Sequence, residues 1–88
     1  MIRREVSILN ELGLHLRSAG SFVRTASRFK SHIRVGTATV APVDGKSILG
    51  LLTLGAAPGT TLIVCAEGPD EAAAIDALVA LVENRFGE

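Results

Sequence analysis

The 88-residue sequence lacks the features of several common protein classes. Its single cysteine, Cys65, excludes an internal disulfide bond and a cysteine-based metal cluster. It has three phenylalanines but no tryptophan or tyrosine, so the usual aromatic platforms for stacking nucleic-acid bases are missing. No apolar run reaches the roughly 18 residues of a membrane span. The N-terminus reaches Arg3 and Arg4 before any apolar run of signal-peptide length.

The charges also balance, since nine basic and nine acidic residues give a formal net charge of zero. A general nucleic-acid or membrane-surface binder usually carries a basic excess, so neither partner is expected. The hydrophobic fraction of 48% is enough for one aliphatic core in a single domain over residues 1–88. We expect a cytoplasmic monomer without a cofactor or a metal.

Hydrophobic periodicity and turn residues predict seven elements along the chain. The predicted bounds are a strand over Glu5–Leu9, a helix over Leu16–Phe29, strands over Ile33–Val35 and Thr37–Val43, a helix over Ile48–Leu54, a strand over Thr60–Ala66, and a last helix whose core face is Ile75, Leu78, Val79, Val82 and Phe86. This β-α-β-β-α-β-α order predicts an α+β open-faced sandwich. Its four-stranded antiparallel sheet would carry three helices on one face.

The segment Gly13-Leu14-His15-Leu16-Arg17 places a histidine in the turn before the first helix. The unpaired backbone amides and the dipole of a helix N-terminus favour an anion there. A neutral imidazole can accept a phosphoryl group, which Arg17 and the first backbone N–H groups could then hold. No aspartate or serine stands at a spacing that suggests a hydrolytic triad. The segment therefore favours phosphoryl acceptance over hydrolysis.

A second segment, Lys46-Ser47-Ile48-Leu49-Gly50-Leu51-Leu52, opens the short helix. Ser47 is predicted to be its N-cap. Apolar residues surround nearly the whole helix, although a helix on a sheet can bury only one side. We therefore expect Ile48, Leu49 and Leu52 to face water and to form a partner-binding surface.

The remaining polar and reactive residues have simpler interpretations. His32 is predicted to be a surface residue at the start of a strand. Cys65 is predicted to be a small, inert core residue. The acids Glu67, Asp70 and Glu71 are predicted to cap a helix and not to bind a metal.

Nearly the whole chain resembles the HPr family, the histidine-containing phosphocarriers of the bacterial phosphoenolpyruvate-dependent phosphotransferase system. The His15 segment resembles the family's active-site motif, and Lys46-Ser47-Ile48-Leu49-Gly50 resembles its regulatory-serine motif. The resemblance implies that His15 accepts a phosphoryl group on Nδ1 from enzyme I and passes it to an enzyme IIA component in sugar uptake. It implies that Arg17 balances the phosphate charge, with the backbone amides of Leu16 and Arg17 in the phosphate site.

The same resemblance makes Ser47 the position that a dedicated HPr kinase/phosphorylase modifies in some bacteria. The Ile48, Leu49 and Leu52 surface would bind enzyme I and that kinase. The partner enzymes supply most of the catalysis, so the chain itself is expected to be a carrier and not an enzyme.

Two residues depart from the family pattern. Leu16 stands where the family usually has a small residue, and Ser18 stands where it usually has proline. Ser18 can hydrogen-bond in a first helical turn, so the helix start is expected to survive, whereas Leu16 beside the histidine alters the docking surface.

Two alternatives keep the same fold. One is a regulatory binding module controlled at Ser47, and the other is a carrier in a nitrogen-related phosphotransfer chain that does not serve sugar uptake. A ferredoxin-like RNA-binding domain is disfavoured by the missing aromatics and the zero net charge.

Overall fold

A computed structural model describes all 88 residues, and four strands form one antiparallel sheet in the order β1-β4-β2-β3. The elements are β1 (Ile2–Ser7), α1 (Leu16–Ala26), β2 (His32–Gly36), β3 (Val43–Asp44), α2 (Ile48–Leu52), β4 (Thr61–Glu67) and α3 (Glu71–Glu83), followed by a 3₁₀ turn (Arg85–Gly87). The predicted α+β open-faced sandwich is confirmed. None of its helices combines the length and apolar character needed to cross a bilayer.

The core lies between the sheet and the helices. Alternate residues of the central strand β4, namely Leu62, Val64 and Ala66, are buried because side chains alternate between the two faces of a strand. Phe22 of α1 and Leu78 of α3 are fully buried in the same core cluster. The opposite face of the sheet carries no helix.

The first strand begins earlier than its alternating pattern predicts. The prediction was Glu5–Leu9, whereas β1 spans Ile2–Ser7 and pairs from Ile2 opposite Ala66 to Ser7 opposite Thr61. Arg3 and Arg4 interrupt the apolar pattern at the start of β1. Both are exposed, which is possible because β1 is an edge strand of an open-faced sheet.

The predicted strand over Thr37–Val43 is wrong for most of its length. Only Val43 and Asp44 pair with β2. The Thr37 backbone N–H donates to the carbonyl of Val40 at 3.1 Å, and the Thr37 hydroxyl accepts from the Val40 N–H at 3.0 Å. These local bonds replace the ladder, and Pro42 has no N–H to donate.

Two helices end earlier than predicted. The α1 helix ends at Ala26 and not at Phe29, because 3₁₀-type turns follow Ser27 at its C-cap. The α2 helix ends at Leu52 and not at Leu54, shortly before the left-handed Gly55.

Asp70 does not cap α3 with its side chain, contrary to the prediction. Its carboxylate instead accepts hydrogen bonds from the backbone N–H groups of Lys30 and Ser31, at 2.9 and 3.0 Å, and from the Ser31 hydroxyl. These hydrogen bonds lower the pKa of Asp70 to about 2, and the bond from the Ser31 side chain has the largest effect, followed by the bond from the Lys30 backbone. Asp70 therefore fastens the start of β2 to the start of α3.

Cys65 was predicted to lie in the core but is only half-buried. It alternates with Val64 and Ala66, so its side chain faces the side of the sheet without helices. Its neighbours across the ladder are Arg3 on β1 and Arg34 on β2. The prediction for Cys65 was wrong because β4 is one continuous apolar run, and such a run does not show which of its residues face the helices.

Candidate functional site

The loop before α1 is fixed by a glycine that no other residue could replace without strain. Gly13 has a φ of +66°, and a Cβ atom there would lie 2.5 Å from the carbonyl oxygen of Ala56. The next residue, Leu14, is buried and donates its N–H to that same oxygen at 2.8 Å. These contacts hold the loop against the segment after α2 and leave His15 at the surface, with its side chain 28% exposed.

His15 is the N-cap of α1, which confirms its predicted place at the start of the helix. Its Nδ1 atom accepts the backbone N–H of Arg17 at 3.3 Å. The His15 N–H donates in turn to the hydroxyl of Ser18 at 2.9 Å, and that hydroxyl donates to the carbonyl of Gly13 at 3.0 Å. This reciprocal pairing is a capping box, in which Ser18 fixes the helix start where the family usually has proline.

The other ring nitrogen contacts a carboxylate that no motif of the sequence indicates. Nε2 of His15 lies 2.7 Å from Oε2 of Glu88, although 73 positions separate the two residues. The second carboxylate oxygen, Oε1, accepts an N–H of the Asn10 side-chain amide at 3.0 Å. No motif or spacing in the sequence indicates this contact, because it forms only when the segment after α3 packs beside the start of α1.

These partners assign the protons of the imidazole. Nδ1 faces an N–H donor and must present its lone pair, whereas Nε2 faces a carboxylate and must carry the hydrogen. The hydrogen bond from Asn10 is the largest of the effects that lower the pKa of Glu88, with smaller contributions from His15 and Arg17 and an opposing one from burial. Glu88 is therefore ionised at neutral pH and accepts the Nε2 hydrogen.

The histidine lies on the wall of a cleft of about 550 Å³ between α1 and the 3₁₀ turn. Arg17, Arg24 and Arg85 also line this cleft, and none of them makes an ion pair. Arg17 is exposed, and its guanidinium makes no hydrogen bond within the protein. The first N–H of the helix, that of Leu16, has no partner either. An anion at Nδ1 would therefore find unoccupied donors on neighbouring residues.

The second predicted segment lies on α2, which packs against α1. Ser47 is its N-cap as predicted, and its hydroxyl accepts the N–H of Gly50 at 3.0 Å. Leu49 is 78% exposed, as expected. Ile48 and Leu52 were expected to face water but are half-buried, because both side chains pack against the hydrophobic core.

The other candidate residues stand apart from this site. His32 is exposed on β2, as predicted, and pairs with Glu67 across the sheet. No group of three or more histidine, cysteine, aspartate or glutamate side chains is arranged to hold a metal ion. The hydrogen-bonded group around the imidazole therefore consists of His15, Asn10, Glu88 and the Arg17 N–H.

Comparison with known proteins gives a consistent assignment. Residues 2–84 match the family model described as the phosphorylation site of the HPr component of the phosphotransferase system. The phosphocarrier protein HPr of Neisseria meningitidis is 46% identical over 88 residues, covering 100% of this chain and 98% of the relative.

Solved structures agree with the sequence relatives. The crystal structure of HPr-C-His from Thermoanaerobacter tengcongensis has a TM-score of 0.94 at 45% identity, covering 100% of this chain and 98% of the other. An HPr dimer from the same organism has a TM-score of 0.78 at 45% identity, with 100% of both chains covered.

Proposed function

Because the chain belongs to the HPr family of phosphocarriers of the phosphotransferase system, we propose that His15 accepts a phosphoryl group from phospho-enzyme I and passes it to an enzyme IIA component. The observation that carries this proposal is the state of the imidazole. Its Nδ1 lone pair lies at the surface, at the N-terminus of α1, while a carboxylate holds the proton on Nε2.

The transfer uses that lone pair. Nδ1 attacks the donor's phosphorus, a P–Nδ1 bond forms, and the bond to the donor breaks with its electron pair remaining on the donor. The Arg17 N–H, which lies 3.3 Å from Nδ1, loses its acceptor at that moment and is placed for a phosphate oxygen. The exposed Arg17 guanidinium supplies the positive charge, and the Leu16 N–H adds another donor.

The arrangement favours a carrier over a hydrolase. A phosphorylated histidine must survive until its acceptor arrives, so no free base should lie beside the phosphorus. The only carboxylate on the ring, that of Glu88, contacts Nε2 on the opposite side from Nδ1 and is already engaged by two hydrogen bonds. It is therefore not placed to activate water at the phosphoryl group.

The α2 surface is proposed as the docking site for enzyme I. An exposed leucine next to the half-buried Ile48 and Leu52 offers an apolar contact area beside α1. Ser47 borders this area, and we propose that phosphorylation of Ser47 by an HPr kinase/phosphorylase, in a host that has one, would place a dianion in an apolar contact. Cytoplasmic location and a monomeric state stay predictions, and sedimentation would test the second against the dimer seen in the Thermoanaerobacter relative.

The decisive experiment is incubation with phosphoenolpyruvate and enzyme I. We expect one acid-labile, base-stable phosphate on the wild-type protein. His15→Ala should take up none, whereas His32→Ala, which removes the other histidine, should be phosphorylated normally. Phosphate on the His15→Ala variant would show that another residue is the acceptor. A wild-type protein that takes up no phosphate would contradict the carrier function and favour the regulatory binding module.

A further inference from the structure

Asn10 is nearly inaccessible to solvent, at 2% exposure, yet it belongs to the loop that precedes the acceptor histidine. Its amide nitrogen donates to the Gly13 carbonyl at 2.7 Å and to Glu88 Oε1 at 3.0 Å. Both hydrogens of the amide are thus used, one on the loop that carries His15 and one on the carboxylate that contacts it.

The orientation of this amide is unambiguous. Turning it over would place its oxygen against two acceptors, the Gly13 carbonyl and the Glu88 carboxylate. In the observed orientation Oδ1 is buried and has no partner. An unsatisfied buried acceptor is unfavourable, and here it accompanies an amide whose two donors both point toward the histidine site.

The backbone that delivers Glu88 is also unusual. Arg85 and Phe86 both have a φ of +56°, and Gly87 has a φ of +79°. Side-chain-bearing residues rarely adopt this left-handed conformation. The turn buries Phe86 in the core and brings the chain back over α1, so that Glu88 meets the ring. Two independent features, one at each end of the chain, therefore hold one carboxylate on Nε2.

We propose that Asn10 is a positioning residue that acts through Glu88, and that this pair keeps a proton on Nε2 of His15 through the whole phosphorylation cycle. The inference rests on the proposed phosphocarrier function. After transfer, the ring carries the phosphoryl group on Nδ1 and the proton on Nε2, so it is a cation beside the Glu88 carboxylate.

The held proton matters when the phosphoryl group leaves. The P–Nδ1 bond breaks, its electron pair returns to Nδ1, and the ring departs as a neutral imidazole that still carries the Nε2 hydrogen. This product is the resting tautomer of the structure. Without that proton the leaving group would be an imidazolate, a much poorer one. Asn10 and Glu88 would thus keep the phosphoryl group transferable in neutral and mildly alkaline solution.

The other charged groups around the ring either disfavour the proton on Nε2 or make no contact with the ring. Arg17 and Arg24 on α1 and Arg85 in the 3₁₀ turn line the same cleft and disfavour a cationic ring. Glu11 lines the cleft as well, but its carboxylate makes no ion pair or hydrogen bond with the ring. Glu88 is the only carboxylate in direct contact, which makes Glu11 a matched control.

The first test follows the phosphorylated protein. Wild type, Asn10→Ala, Glu88→Gln, the double variant and Glu11→Gln are phosphorylated chemically with phosphoramidate, and ³¹P NMR measures the loss of phosphohistidine across neutral and alkaline pH. An opposite charge in contact typically shifts a titration by a unit or more, so we expect the fall in hydrolysis rate to move about one pH unit lower in either single variant. Their phosphohistidine would then live up to roughly tenfold longer at alkaline pH.

The controls separate positioning from structure. The double variant should match Glu88→Gln, because Asn10 has no effect once its acceptor carries no charge. Glu11→Gln should match the wild type. An Asn10→Ala profile identical to the wild type, or an equal extra shift in the Glu88→Gln background, would overturn the proposal.

The second test needs no phosphate, so it stands even if the carrier function fails. ¹⁵N NMR of the unphosphorylated protein reports which nitrogen of the neutral His15 ring carries the hydrogen. We expect the Nε2–H tautomer to dominate in the wild type and to lose population in both Asn10→Ala and Glu88→Gln. Unchanged tautomer ratios in well-folded variants would refute the positioning role, whereas a wild type that accepts no phosphate from enzyme I would refute the proposed function alone.

Discussion

Substituting Gly13 by alanine should damage the site more than the same change at an unhindered glycine. Alanine in the left-handed conformation costs about 1–2 kcal/mol, partly offset by about 0.4–1 kcal/mol from a less flexible unfolded chain. At Gly13 the new Cβ would also lie 2.5 Å from the Ala56 oxygen, so the two loops must separate. Their hydrogen bond, from Leu14 to Ala56 at 2.8 Å, would be lost at a further cost of about 1–2 kcal/mol.

Gly55 provides the control. It has a φ of +58°, and nothing lies within 4 Å of a Cβ built on it, so Gly55→Ala carries the backbone cost alone. Urea denaturation should show Gly13→Ala destabilised by about 2–3 kcal/mol and Gly55→Ala by about 1 kcal/mol. In a domain of this size the larger loss lowers the melting temperature by roughly 10 °C or more. Equal losses in the two variants would show that the contact with Ala56 does not hold the histidine loop.

Three further predictions concern charge. Arg17→Ala should slow phosphoryl transfer at least roughly tenfold without lowering the melting temperature, because its exposed guanidinium makes no hydrogen bond and no ion pair in the resting protein; an unchanged rate, as expected for Arg28→Ala, would remove it from the mechanism. Ser47→Asp should raise the KM for HPr in the enzyme I reaction, and Ser47→Ala, which loses the cap without gaining charge, should leave that KM unchanged; equal values for both would refute the docking surface. The pKa of Asp70 falls from its ordinary 3.8 to about 2 on folding. The ionised Asp70 carboxylate therefore stabilises the folded protein fully at pH values above 3.8, the pKa in the unfolded chain, and this stabilisation is lost as the pH falls toward 2. Asp70→Asn should therefore flatten the loss of stability in that acid range, measured by urea midpoints, whereas Asp76→Asn on the exposed face of α3 should not.

Local patterns were enough to predict where α1 and α2 begin. An N-cap is decided by a few consecutive residues, so His15 and Ser47 were placed correctly from their own segments. The element order and the open-faced architecture also followed from periodicity, because side-chain alternation and helical spacing are properties of short stretches. Strand limits were less accurate, since the ends of β1 and β3 depend on which neighbour offers a ladder.

The sequence by itself therefore determined the fold class and the position of His15 at the start of α1. Only the tertiary structure decided that Glu88 contacts His15, that Asn10 holds Glu88, and that Asp70 binds the Lys30–Ser31 segment instead of capping its own helix. The physical reason is distance along the chain. Capping and amphipathic patterns act within one or two turns, whereas a hydrogen bond across 73 positions exists only after packing has brought both ends of the chain to the same surface.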